Sequence, residues 1–296
     1  MLFRAGVVNR PGRVEAGNTV LDTMPEEKDR AQSLTLGVAT FGWNDFRINL
    51  IDTPGYADFA GDALTALRVA DVAVFVVDGV SGLQVNDEIM WQTASALGKP
   101  RLIFVNKLDK ERGSFERTLD GIRSRFGPGV EPVELPVGEA SAFHGVADLL
   151  TDHLFSYDGG TTVESDEVPP DIAEREHAEH EHLVEDVVEI EDDLLGRYLD
   201  GEPITVDELE HALHTGFVAG TVWPVLCGSA TESIAIDRLL EFLCRIAPDP
   251  VEVQAATPSD GEPLAYVFKT HTDDYVGRVA LLKILSGTVR ADDILV

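Results

Sequence analysis

Asp52-Thr53-Pro54-Gly55, Asn106-Lys107-Leu108-Asp109 and Gly228-Ser229-Ala230 each follow directly on a short apolar run. An aspartate at the end of a buried strand can hold a divalent cation through water, and a glycine lets its backbone N–H approach a phosphate oxygen closely. Asp52 and Gly55 suit those two tasks. Asn106 offers an amide donor and acceptor, and the Asp109 carboxylate can accept two N–H bonds from the paired N1–H and N2–H₂ face of guanine. Adenine lacks that face and would leave the carboxylate unpaired, a penalty that selects guanine. Taken singly, Asp-Thr-Pro-Gly is a common turn, Asn-Lys-Leu-Asp a solvated loop, and Gly-Ser-Ala carries almost no information. Their order on successive strand ends gives them weight.

The runs that must position these segments are Arg47 to Asp52, Val72 to Asp78, Arg101 to Asn106 and Val222 to Gly228, each of a length for a buried parallel strand. They are expected to form the middle of one sheet. Helical spacing over Phe59 to Val69 and Asp87 to Leu97 separates the first three. Strand-helix-strand alternation predicts an open α/β sheet with right-handed crossovers, and in such sheets the ligand lies beyond the carboxyl ends of the strands.

From Lys110 to Thr221 the pattern changes to a helix (Phe115 to Phe126), strand-like pieces (Pro132 to Val137, His153 to Tyr157) and an acidic helical stretch (Ile172 to Leu199). That span is too long for a loop and predicts an inserted α+β subdomain at 131–221. A helix over Arg238 to Arg245 should turn Leu239, Leu240 and Leu243 inward. The proline- and acid-rich segment 248–262 reads as a linker. Strand-like Leu264 to Phe268 and Arg278 to Leu285, with a Ser286-Gly287 turn, predict the opening strands of a β barrel over 263–296. The main domain would then cover 1–247.

With 296 residues, 44% of them apolar, the chain falls in the soluble, core-forming class. Its net charge of −30 repels phosphate backbones, which argues against independent DNA binding or general nucleic-acid binding. Residues 164–193 hold fourteen acids against Arg175 alone, the composition of a solvated helix. Its His177, His180 and His182 do not share one helical face, so surface titration is the better reading than a metal cluster. The apolar stretch Val69 to Val80 is broken by Asp71 and Asp78, and no secretory signal opens the chain, so a cytoplasmic protein without a membrane span is expected. Cys227 and Cys244 read as reduced core thiols, and Trp43, Trp91 and Trp223 as packing residues.

The three segments, in this order, with the insertion between the second and third and a barrel beginning near Tyr275-Val276-Gly277-Arg278, resemble the third, fourth and fifth motifs of translational GTPases of the elongation factor G type. The resemblance implies a P-loop NTPase-like G domain with its first strand and P-loop missing, followed by the start of a translation-factor barrel. It implies GTP/GDP and Mg²⁺ as cofactors, and as partner the ribosome, at its factor-binding site and stalk proteins. Asp52 would be a magnesium ligand through water, and Thr53, Pro54 and Gly55 would face GTP, with Gly55 sensing the γ-phosphate. Asn106 and Asp109 would read guanine, Lys107 would lie along the base, and Ser229 with Ala230 would close the pocket. Arg30-Ala31-Gln32-Ser33 resembles the first switch, with Ser33 binding magnesium.

The sequence also departs from that family. Gly-x-x-x-x-Gly-Lys-Ser/Thr does not occur, and the pair Gly98-Lys99 is followed by Pro100. Leu2-Phe3-Arg4 resembles the tail of the helix that follows the phosphate loop, so that loop and its strand are expected just before Met1, lost by truncation or a misplaced start codon. Without the cradle, weak or absent GTP binding is expected. Tyr56 stands where the family has the histidine that orients the attacking water; a phenol with pKa about 10 stays neutral at pH 7 and should position water poorly. Ala31 replaces a glycine and Gln32 an apolar residue that shields the water site. The expected role is that of a ribosomal GTPase whose longer parent couples hydrolysis to translocation or recycling, with this chain impaired. A non-hydrolysing guanine-nucleotide module at the ribosomal factor site, and an interaction-only fragment, remain as alternatives.

Overall fold

Apolar runs become strands close to the bounds that composition sets. In a computed structural model, residues 1–158, 161–170, 172–253, 263–273 and 275–294 are described. A short helix α1 (Pro25–Arg30) precedes an antiparallel pair, β1 (Gly37–Trp43) and β2 (Phe46–Asp52). Asn44 in their two-residue turn takes φ 49°, the left-handed backbone that tight hairpins demand. Next come α2 (Ala60–Val69), β3 (Ala73–Asp78), α3 (Val85–Ala96), β4 (Arg101–Asn106), α4 (Phe115–Phe126) and β5 (Val130–Pro132). Strand β10 (Trp223–Cys227) completes an all-parallel sheet in the order β3-β4-β10-β5. β4 lies at its centre with Leu102, Ile103 and Val105 fully buried, as a strand covered on both faces must be. Helix α4 opens on Ser114, whose Oγ accepts from Arg117 N, and it packs Phe115, Leu119 and Ile122 inward at three- and four-residue spacing.

The segment Arg47 to Asp52 does not join this sheet, contrary to the sequence expectation. It pairs with β1 alone, and among the described residues no strand lies between β2 and β3. β3 is therefore an edge, and Val76 in an otherwise apolar strand is 58% exposed. An apolar run signals that a strand is to be covered; it does not say which neighbour covers it.

The piece Pro132 to Val137 also divides. β5 belongs to the central sheet, and beyond Val133 the chain enters a second sheet of β6 (Glu134–Val137), β7 (Gly145–Asp148), β8 (His153–Asp158) and β9 (Thr161–Ser165), an antiparallel meander. Val133 makes the crossing: its N–H donates to Val225 O and its carbonyl accepts from Leu149 N, one bond to each sheet. The acidic stretch forms two helices, α5 (Ala173–Val188) and α6 (Asp192–Leu199), broken at 189–191. α7 (Val206–Ala219) follows, opened by a Thr205/Glu208 capping box. α8 (Ile236–Arg245) buries Leu239 and Leu240 as expected, while Leu243 is only half-buried.

Of the expected linker, 250–253 form a helical turn and 254–262 lie outside the described residues. β11 (Leu264–Asp273) and β12 (Gly277–Ser286) form an antiparallel hairpin, longer than the sequence pattern indicates. Lys269 donates to Leu36 O, and Lys283 to Val69 O and Asp71, so the hairpin is tied to the residue just before β1 and to the C-terminus of α2. No helix among the described residues is long and apolar enough to cross a membrane.

Candidate nucleotide-binding site

Asn106 and Asp109 leave the carboxyl end of β4, and Ser229 and Ala230 leave the end of β10, its parallel neighbour. The Asn106 Oδ1 accepts from Ala230 N at 3.0 Å and from Lys107 N at 2.8 Å, so one amide oxygen joins two of the segments. Gly228 is needed at their junction, because a Cβ there would meet Ile234 O at 2.5 Å and Phe104 Cζ at 2.7 Å.

Asp109 lies behind this junction. Burial would raise its pKa, but the Lys110 ammonium at 2.6 Å and the nearby Ser229 hydroxyl outweigh burial and hold the carboxyl below its ordinary range. Its Oδ1 is buried and has no hydrogen-bond partner among the described residues. A buried carboxylate oxygen left without a hydrogen bond of its own is costly, and a ligand donor would offset that cost. Lys107 adopts φ 65° and sends its ammonium to Asp78 at 2.7 Å. Burial favours the protonated Asp78, yet Lys107 and the N–H groups of Val80 and Ser81 pull its pKa down overall.

The second half of the site gathers around Asp52. Asp52 is exposed at the end of β2, but protein packed around its carboxyl desolvates it, and this first, then the negative charges of Asp22 and Glu27, raises its pKa. The Ser33 hydroxyl donates to Asp22 Oδ1 at 2.6 Å, and Thr19 donates to the other oxygen at 2.5 Å. Glu27, buried under the same loop, accepts from the backbone N–H groups of Met24, Leu34 and Thr35; burial raises its pKa, and these donors together bring it below the ordinary value. Ser33 and Asp52 are thus brought together through Asp22. Neither Asp22 nor Glu27 is singled out by the sequence, since isolated acids in a chain of net charge −30 carry no periodic or motif signal.

Thr53 is half-buried and Pro54 buried, whereas Gly55 and Tyr56 face solvent. The Gly55 carbonyl accepts from Asn86 Nδ2 at 3.0 Å, and open space surrounds its Cα. Tyr56 is 62% exposed, and its hydroxyl makes no hydrogen bond among the described residues.

The Elongation factor Tu GTP binding domain family matches residues 1–249. The chain belongs to this family. Within it the chain is elongation factor G-like: it is 33% identical to Elongation factor G of Mycoplasma pneumoniae over 98% of its own length and 44% of the relative's. It is 32% identical to Elongation factor G of Mycoplasma genitalium with the same coverage. A crystal structure from Thermus thermophilus superposes with TM-score 0.88 at 37% identity, covering 97% of this chain and 42% of that one. The chain therefore spans less than half the length of the curated relatives it matches.

Membership of the family accounts for the α/β class, while the histidines of the insertion answer to local charge. His177, His180 and His182 contact Glu181, Asp152 and Asp186 respectively. Glu131, His182 and Asp186 do bring donor atoms within 4.8 Å of one another. Arg123 already stands on Glu131 at 3.3 Å, so a cation is present there in the form of a side chain. Both cysteines are free, Cys227 buried and Cys244 partly so.

Proposed function

We propose that this chain is the guanine-nucleotide-binding part of an elongation factor G-like GTPase that works on the ribosome in the cytoplasm. The observation that carries the reading is the buried, unpartnered Asp109 Oδ1 beside the Asn106–Ala230 junction. Two N–H donors on one purine edge would satisfy this carboxylate, and Ser229 with Ala230 would close over the same base. Lys107, anchored by Asp78, would cover the base with its methylene stem. Asp52, Thr53, Pro54 and Gly55 would face the phosphates.

The oxygen donors around Asp52 fit a hard divalent cation. Ser33 and Asp52 would hold Mg²⁺, Asp52 through water, with Asp22 beside them, and the mutual repulsion that raises Asp52 favours bringing a positive charge there. When bound, the ion would neutralise phosphate charge. The solvent-facing, unpartnered Tyr56 favours a second reading of the same site, a binder that turns over slowly or not at all.

Nucleotide titration of the chain extended upstream of Met1 by a strand and a Gly-x-x-x-x-Gly-Lys-Ser loop tests the reading. GDP should bind at least about a hundredfold more tightly than ADP, and Asp109→Asn should erase that preference. Equal affinity for the two nucleotides would falsify it. Co-sedimentation of the extended chain with ribosomes, dependent on GTP, is the corresponding test of the partner.

A further inference from the structure

We infer that Arg4 and Tyr157 are positioning residues that hold loop 228–235 in its base-closing shape, so that the inserted β8–β9 sheet governs how firmly guanine nucleotide is retained. The inference rests on the nucleotide reading above.

The loop is short and strained. Ser229 and Ile234 pair through both of their backbone groups, N to O at 3.1 and 3.0 Å, which closes the loop on itself. Inside the closure Ser233 takes φ 58°, and just beyond it Ala235 takes φ 60°, left-handed conformations that residues with a Cβ avoid. Such backbone persists only where its surroundings over-determine it.

Two of the contacts that do so come from outside the central sheet. The Arg4 guanidinium donates to the Ser233 carbonyl through Nη2 at 2.6 Å and Nε at 3.2 Å. The same guanidinium lies 5.2 Å from the centre of the Tyr157 ring on β8. The Tyr157 hydroxyl donates to Asp237 Oδ1 at 2.8 Å, and Thr162 of β9 donates to Asp237 Oδ2 at 2.9 Å. Asp237 is in the first turn of α8, immediately after the loop. Both the carbonyl at residue 233 and the helix that receives the chain are therefore fixed against one strand pair of the insertion. At the other end of the loop, Ala230 N is fixed on Asn106. A displacement of β8–β9 has a short path to the pocket, through Tyr157 and Arg4 into residues 233–237, and from there across the Ser229–Ile234 pair to Ser229 and Ala230.

Hydrogen exchange of the chain as it stands, together with release of fluorescent GDP from the chain extended upstream of Met1 by the strand and phosphate loop, tests this in Tyr157→Phe, Arg4→Ala and Arg4→Lys. Tyr157→Phe keeps the ring beneath Arg4 and deletes only the hydroxyl. It and Arg4→Ala should each speed exchange of the 229–236 amides by about tenfold, the worth of one lost hydrogen bond, with β4 amides unchanged. Arg4→Lys, which retains a donor, should recover part of that protection. GDP release should quicken by the same factor. Unchanged exchange at 229–236, an increase spread evenly over the central sheet, or unaltered GDP release from a loosened loop overturns the inference. The nucleotide reading fails separately: Asp109→Asn would leave guanine preference intact while the exchange results stand.

Discussion

At the scale of single residues, the same side-chain type is tuned in opposite directions by its neighbours. Asp109 is held low by an ammonium and a hydroxyl, Asp52 is pushed up by desolvation and two carboxylates, and neither effect can be read from the motif that contains it. The motif segments stand out in the sequence because types and spacing together carry chemistry; Asp22, Glu27 and Arg4 do not, because their contacts arise only when distant segments meet. Glu134 is the strongest case. It is fully buried, and burial with Asp148 nearby drives its pKa up to about 8 even though Arg238 opposes that and Cys227 N donates to it. Because the folded carboxyl holds its proton where the unfolded one at 4.5 has released it, the stability Glu134 contributes is fully present below pH 4.5 and is lost as pH rises toward 8. Glu134's share of the slope is bounded by about 1.4 kcal/mol per pH unit. Glu134→Gln, which mimics the protonated form, should flatten the decline, as read by urea unfolding across that range; an unaltered slope would remove Glu134 as its source. Tyr56 supplies the catalytic counterpart. In the chain extended upstream by a phosphate loop, Tyr56→His should raise single-turnover GTP hydrolysis on ribosomes by about a hundredfold, the lower end of what a positioned imidazole contributes, and leave GDP affinity unchanged. Equal rates would show that the phenol is no handicap.

At the scale of elements, the longer apolar runs and the helices α2, α3, α4 and α8 followed from periodicity, while β1, β7, β9, α1 and α7, and the pairing of the strands, did not. Leu102 to Val105 announces burial on both faces and obtains it; Val74 to Val77 carries the same signal, yet β3 ends a sheet. The acidic stretch reads as one helix because nothing in Glu189-Ile190-Glu191 breaks helical composition, yet it divides there into α5 and α6. The edge position of β3 makes its two faces energetically unequal. Val77 is 1% exposed and Val76 is 58% exposed, one residue apart. Val77→Ala should cost about 2 kcal/mol in urea unfolding, from lost burial and the cavity left behind. Val76→Thr should stay within about 0.5 kcal/mol and reduce aggregation, since an exposed apolar edge invites intermolecular strand pairing. A Val76 substitution as costly as the one at Val77 would mean that this edge is covered in solution.

At the scale of the whole molecule, a chain with 23 cations and 53 acids has few positive charges to spend, and it places several of them where separate parts meet. Arg238 reaches Asp148 at 2.7 Å and lies 3.9 Å from the centre of the Phe155 ring, joining α8 to the inserted sheet. Lys269 and Lys283 fasten the β11–β12 hairpin, and Lys99, its pKa lowered by burial and then by Lys283, donates to Ala70 O at 2.7 Å close by. These junctions are half-buried or deeper, whereas most of the excess acid is on exposed faces such as α5. Salt therefore acts unequally on the two populations. Screening shortens from about 30 Å at about 0.01 M to about 8 Å at about 0.15 M, which quenches repulsion among spread surface acids far more than contact pairs shielded from solvent. The melting temperature should accordingly rise by several degrees over that range, the reverse of what a fold held by exposed salt bridges would do. Lys283→Met should lower the melting point at both salt concentrations by a similar amount, because a partly shielded pair is lost in each. A fall in melting temperature with salt, or a Lys283→Met effect that vanishes at the higher concentration, would place the decisive charges on the surface instead of at the junctions.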